Sequence, residues 1–316
     1  ENAARSFVLT AELLEILSAL EKQNARVATY KGPALALGAY GNLLLRPFFD
    51  LDLLMARRDL PVVRRILIER GYHQQFHSNA ERIEYAHSFA KRGEAGGGIV
   101  VEAHWSITPQ HYALPPFPSG ALERLHTLIL QRQRVLVLSP EDQLLVLCWH
   151  GYKHQWSRLE WVACIAEILR RSDAVTKGTV GTEASTPALD WHYLLKAARR
   201  VGSLRLLWIG LGLAHELLNA PLPADMHAMM CADRVLGRLL TPLQTFLLST
   251  PGDESSQRPA LEMFRLRSRE RWRDKARYCW RLTFAPRQMN WNSLLPFHQK
   301  SASGSMHSDK MRKTSR

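Results

Sequence analysis

The absences in this chain set its outer limits. No run approaches the ~18 uninterrupted apolar residues of a spanning helix, and the first residues lack the basic-then-apolar pattern of a secretory leader. Because the chain starts at Glu1 rather than methionine, a removed leader stays open. Cysteine is scarce: Cys148, Cys164, Cys231 and Cys279 are scattered, with no C-x-x-C spacing. That argues against a disulfide framework and fits reduced core thiols in a cytoplasmic protein. The H-E-x-x-H pattern of a catalytic zinc helix is missing. What is present is ample core material, 46% hydrophobic residues and nine tryptophans in 316 residues, enough for two domains.

Acid-x-acid pairs are rare too: Asp50 and Asp52, in RPFFDLDLLM, form the only one. Alternate strand residues share a face, so two carboxylates at this spacing can hold a hard divalent cation between them. Alone the pair is weak, since 29 acidic residues in 316 yield about three by chance. Context strengthens it. A short β-leaning run at 26–29 is followed by Tyr30, Lys31, Gly32 and Pro33, then by a helical stretch at 34–40. Glycine lets backbone approach a phosphate, and a helix N-terminus offers free N–H groups. A third carboxylate, Glu102, appears abruptly after Ile99, Val100 and Val101 in IVVEAHW. If its strand lies beside the one with Asp50 and Asp52, three carboxylates converge, as two-metal phosphoryl transfer requires.

The segments YKGPALALGAYGNLLLRPFFDLDLLM, VEAHW and HGYKHQW resemble the uncharacterised bacterial nucleotidyltransferases of the DNA polymerase beta superfamily. The resemblance implies an α/β (α+β) core, a small mixed sheet flanked by helices, joined to a mainly helical C-terminal domain. It implies Asp50, Asp52 and Glu102 as catalytic carboxylates holding magnesium, with two ions expected and manganese an alternative, and Gly32 at the phosphate-binding turn. Pro33 departs from the glycine-then-serine-or-glycine pattern and offers neither hydroxyl nor N–H. Lys31 and Arg46 are therefore the candidate phosphate cations, each with the alternative of a solvated surface charge. The expected reaction moves a nucleoside monophosphate from an NTP to a hydroxyl acceptor, a small molecule favoured, and releases pyrophosphate. Nucleotidyl transfer to RNA or protein, or a non-catalytic nucleotide-binding module, are the alternatives.

Ser139, Pro140, Glu141 and Asp142 make a strong helix start. His150, Lys153, His154 and Trp156 follow, with Cys164 expected farther along the same helix, where the family commonly carries an aspartate. His150 and His154 share a face but lack a third zinc ligand. Lys153 and His154 are expected to meet the nucleotide, against the alternative of satisfied structural histidines. Residues 1–138 are expected to form the catalytic domain and 139–297 the helical one, with a flexible insertion near 172–187 and a disordered basic tail at 298–316. The Gly-rich stretch 91–98 reads as a hairpin turn, and 228–240 as one helix.

Charge is uneven. Residues 258–316 hold 15 basic against 4 acidic residues (+11), while 1–257 hold 27 against 25 (+2). Arg265, Arg269, Arg273, Arg277 and Arg281 recur every four residues and on one helix would form a stripe. That stripe could meet RNA or an acidic partner, or be a solvated face.

Overall fold

The computed structural model describes residues 2–75, 85–92, 98–107, 120–179, 187–249 and 261–284, all within one compact unit, Glu1–Ala285. The chain opens with α1 (Asn2–Glu21), β1 (Val27–Thr29), α2 (Gly32–Tyr40), β2 (Asp50–Met55), α3 (Leu60–Glu69), β3 (His73–Gln75), β4 (Ala86–Arg92) and β5 (Gly98–His104). Five strands form one sheet in the order β1-β2-β5-β4-β3. β2 and β5 are parallel and the other neighbours antiparallel, so the sheet is mixed, as the resemblance implied. β4 and β5 pair with Arg92 opposite Gly98, on either side of residues 93–97, which lie outside the described residues.

Strand alternation divides the sheet. Leu51, Leu53 and Met55 of β2 and Val101 and Ala103 of β5 share one core with Leu13 and Ile16 of α1 and Val63 and Leu67 of α3. Each fully buried leucine there contributes about 2 kcal/mol of apolar transfer. The opposite face carries Asp50, Asp52 and Leu54, and Leu54 joins the second core, built around Trp149.

A hairpin, β6 (His126–Leu130) and β7 (Gln133–Val137), leads to the helical half. There α4 (Pro140–Lys153), α5 (Leu159–Thr176), α6 (Trp191–Val201), α7 (Leu204–Leu218), α8 (Ala224–Cys231), α9 (Gly237–Leu248), α10 (Leu261–Arg267) and α11 (Trp272–Phe284) follow. The start of α4 is capped as its sequence requires: Ser139 Oγ accepts from the Asp142 N–H at 3.2 Å. Buried Asp142 accepts from Arg124 at 2.8 Å and from the Tyr193 hydroxyl at 3.1 Å. Among the described residues no helix is long and apolar enough to cross a membrane.

Three helical expectations are corrected. The helix begun at Ser139 stops at Lys153, because Gln155 and Trp156 take positive φ and turn the fully buried Trp156 ring into the core. A Cβ on Gly151 would sit 2.5 Å from that ring, and Cys164 therefore belongs to α5. Residues 228–240 are two helices, since Asp233 accepts from the Val235 N–H at 2.9 Å and pairs with Arg205 at 2.6 Å between them. The arginine stripe is split between α10 and α11. Arg265 and Arg269 are 2% and 3% exposed rather than solvated. Arg269 donates to the Tyr152 hydroxyl and lies over the Tyr278 ring, 4.0 Å from its centroid. Arg273 and Arg277 alone of the first four face solvent. The insertion expected at 172–187 begins inside α5, while residues 180–186 and the tail at 298–316 lie outside the described residues.

Candidate active site

The parallel pairing of β2 with β5 sets Asp50 opposite Val100 and Asp52 opposite Glu102. Because i and i+2 share a face, Asp50, Asp52, Glu102 and His104 line one side of two adjacent strands. Gly32 closes the turn from β1 into α2 against them. Its φ is +53°, and a Cβ there would meet the Asp50 carbonyl oxygen at 3.2 Å. Both facts require glycine. Pro33 occupies the first turn of α2, where its missing N–H costs nothing to the helix.

Asp52 is fully buried and carries the densest set of partners. Lys31 Nζ donates to its Oδ1 at 3.0 Å, and His104 Nε2 stands 3.4 Å from the same oxygen and 3.0 Å from Glu102 Oε2. Burial raises the Asp52 pKa, but Lys31 and then His104 outweigh it and hold the carboxyl well below the usual range. Burial likewise lowers Lys31, and Asp52, Glu102 and Asp50 together more than restore it, so the ammonium persists. Asp50 goes the other way: burial first and the neighbouring Asp52 second push it up to about 6. The Glu102 side chain is 38% exposed while that of Asp52 is fully buried, so Glu102 is more open to an incoming molecule than Asp52. Its pKa is lowered, burial being outweighed by His104.

Aromatic groups border this cluster. Tyr30 meets the His104 ring edge-on at 5.6 Å, and Tyr85 lies 5.9 Å from it. Lys153, at the end of α4, donates to the Tyr85 hydroxyl at 3.1 Å. His154 stacks obliquely with His150 at 4.7 Å and with Trp161 at 5.1 Å. Burial first, then Lys153 and Lys31, lower the His154 pKa, so its imidazole is neutral near pH 7 and acts by hydrogen bonding rather than by charge. Arg46 is turned toward α5, with Nε 3.2 Å from Cys164 Sγ and Nη2 3.5 Å from Glu160. Its Nη1 is buried without a partner, and its charge lowers the pKa of Asp50.

Of the residues singled out from sequence, Asp50, Asp52, Glu102, Lys31 and Gly32 thus meet at one turn and sheet face. Arg46, Lys153 and His154 flank them with partners of their own. His104 was not foreseen, although its signal was there: it stands two residues from Glu102 on the same strand, as Asp52 does from Asp50.

A divalent cation fits this donor set. Asp52 Oδ2 is buried without a hydrogen-bond partner, and one ligand atom each of Asp52, Glu102 and His104 lie within 4.8 Å of one another. Asp50 stands at the adjacent same-face position, its pKa raised by burial first and by the neighbouring Asp52 second, both of which a bound cation would offset.

A sequence model of the family described as uncharacterised nucleotidyltransferase matches residues 1–219. The chain belongs to this family, and its enzyme class is nucleotidyltransferase, a transferase. No curated protein matches it. Among solved structures it is similar to an antigenic nucleotidyltransferase-like protein from Paracoccidioides brasiliensis. That match has 18% identity and a TM-score of 0.37, and covers 59% of this chain and 96% of that one. It is also similar to the antibiotic-resistance factor ANT(2'')-Ia, at 15% identity and a TM-score of 0.37, over 63% of this chain and 94% of that one.

Proposed function

We propose that this protein transfers a nucleoside monophosphate from an NTP to a hydroxyl acceptor, with magnesium held by Asp50, Asp52 and Glu102. The observation that carries the reading is the register Asp52↔Glu102, which sets three carboxylates on one face beside the Gly32 turn while Asp52 Oδ2 is left unpartnered. Bound magnesium would supply Lewis-acid charge neutralisation at the transferring phosphoryl group, with two ions the usual arrangement and manganese a workable substitute.

The chain's own groups do the rest. Lys31 is the counter-ion of Asp52; a cation held by the carboxylates would free its ammonium for phosphate oxygens. The Gly32 turn lets the triphosphate approach backbone, and α2 presents its N-terminal N–H groups there. Arg46 contributes its spare Nη1 toward the phosphates, and Lys153 and His154 line the nucleotide side from the C-terminal end of α4. Glu102, more exposed than Asp52, accepts the proton of the acceptor hydroxyl. That oxygen then attacks the α-phosphorus as the bond to the leaving pyrophosphate breaks. Residues 1–138 carry the carboxylates and the phosphate turn, and 139–297 add Lys153 and His154.

A small-molecule acceptor is favoured over RNA, because Arg265 and Arg269 are consumed in the core and leave a short exposed arginine face. The four unpaired thiols suit a cytoplasmic setting. Purified protein incubated with each α-labelled NTP, magnesium and cell extract should label an extract component. Asp52→Asn, which keeps the shape but removes the ligand charge, should lower labelling by about a thousandfold. Undiminished labelling by Asp52→Asn overturns the assignment.

A further inference from the structure

Among the described residues, one group of three brings its ligand atoms within 4.8 Å of one another, and its members are Asp52, Glu102 and His104. Two of them carry carboxylates proposed to hold the cation; the third is a nitrogen donor. His104 Nε2 stands 3.0 Å from Glu102 Oε2 and 3.4 Å from Asp52 Oδ1. Ligand atoms bonded at right angles to one small divalent ion lie about 3 Å apart, so Nε2 needs little movement to share an ion with both oxygens. The same spacing suits hydrogen bonds, but an Nε2–H is a single donor and cannot align with both carboxylates at once. Asp52 Oδ1 moreover already accepts from Lys31 at 3.0 Å.

The backbone fixes this nitrogen. His104 follows Glu102 by two residues on β5 and pairs with Leu54 of β2, so it shares the carboxylate face. Its side chain is 4% exposed. Tyr30 meets the ring edge-on at 5.6 Å and Tyr85 lies 5.9 Å away. A ligand held on a strand between packed rings is positioned before any ion arrives.

The donor type bears on which metal is taken. Magnesium prefers oxygen ligands and keeps several waters, whereas imidazole suits divalent transition metals. A cluster of carboxylates alone favours the first class, and one buried imidazole among them shifts the balance toward the second.

We propose that His104 is a nitrogen ligand of the cation held by Asp52 and Glu102, and that it biases this position toward a divalent transition metal, such as manganese, over magnesium. The proposal rests on the carboxylates being the metal-holding face, and adds the residue that sets which metal they take. The Nε2 proton passes to solvent as the metal replaces it.

Manganese added alone to the full chain, and followed by pulsed electron paramagnetic resonance, tests this without catalysis. The bound ion should show coupling to a directly bonded nitrogen. The pattern should change when the protein's histidines carry the heavier nitrogen isotope. His104→Gln offers an amide oxygen in place of the imidazole nitrogen. That variant should still bind manganese, lose the nitrogen coupling, and surrender the ion to about tenfold less magnesium than the unmodified protein requires. If His104→Gln does not fold, the isotope comparison on the unmodified protein decides alone. Manganese bound without nitrogen coupling overturns the proposal and leaves the carboxylate reading standing, whereas no manganese binding overturns both. Coupling retained in a folded His104→Gln protein, or an unchanged preference between the two metals, also overturns the proposal.

Discussion

On β2, Leu51, Leu53 and Met55 point toward α1 and α3, while Asp50 and Asp52, interleaved with them, point the other way beside Glu102, His104 and Lys31. The first face meets the requirements of folding with little demand on identity: any aliphatic set of the right volume would pack there. The second keeps ionised groups in a low-dielectric setting, and every member needs a named partner. Asp52 has two, Lys31 and His104, and its pKa falls; Asp50 is raised to about 6 by burial first and by like-charged Asp52 second. Two carboxylates on one strand, two residues apart, are thus driven in opposite directions by what stands next to them. The comparison teaches that the polar face stores electrostatic cost that the apolar face offsets, and such cost marks a place where charge is to be bound.

The widest test of that contrast is Lys31→Met. Without the ammonium, fully buried Asp52 keeps only His104, so the metal-free protein should lose about 3–5 kcal/mol in a urea titration. Added magnesium should return part of that loss, if the same carboxylates hold the ion. Leu53→Ala, on the opposite face of the same strand, should cost about 2–5 kcal/mol. Magnesium should add no more stability to that variant than to the unmodified protein, and transfer activity per folded molecule should be intact. If magnesium restored the two variants equally, the two faces would not be functionally distinct.

A smaller effect concerns Asp50. Its folded pKa of about 6 lies above the ordinary 3.8, so folding favours the protonated form. The penalty is absent below about pH 4, grows as pH rises between about 4 and 6, and is complete above that. Asp50→Asn should therefore raise metal-free stability by about 1 kcal/mol at pH 7 and leave it unchanged near pH 4. A stability difference independent of pH would place the cause outside this carboxyl.

The polar face was legible in sequence because strand alternation and the Asp-x-Asp spacing are local signals, and Gly32 stands at a junction where positive φ and close approach demand it. The parallel register that brings Glu102 opposite Asp52 is a long-range pairing which no local pattern encodes; only the abrupt carboxylate after Val101 hinted at it. His104 was passed over although it stands two residues from Glu102 on the same strand, because that spacing acquires meaning only once the parallel register brings Asp52 alongside. The β6–β7 hairpin gave no sign, because its turn residues Gln131 and Arg132 adopt positive φ without being glycine or asparagine. The arginine period of four misled for a related reason. It is a helix signal, but the backbone leaves the helix at residues 268–271, and Tyr152 and Tyr278 draw Arg269 inward. Helical position alone does not say which face tertiary packing will take.

Direct metal binding tests the central claim most plainly. Manganese titrated into the protein with a non-hydrolysable NTP analogue, and followed by electron paramagnetic resonance, should show saturable uptake of up to about two ions per chain. Asp52→Asn and Glu102→Gln should each lose most of that uptake while remaining folded. Equal manganese uptake by the unmodified protein and both variants, or none by any of them, would contradict the assignment of the β2–β5 carboxylates as the metal-holding face.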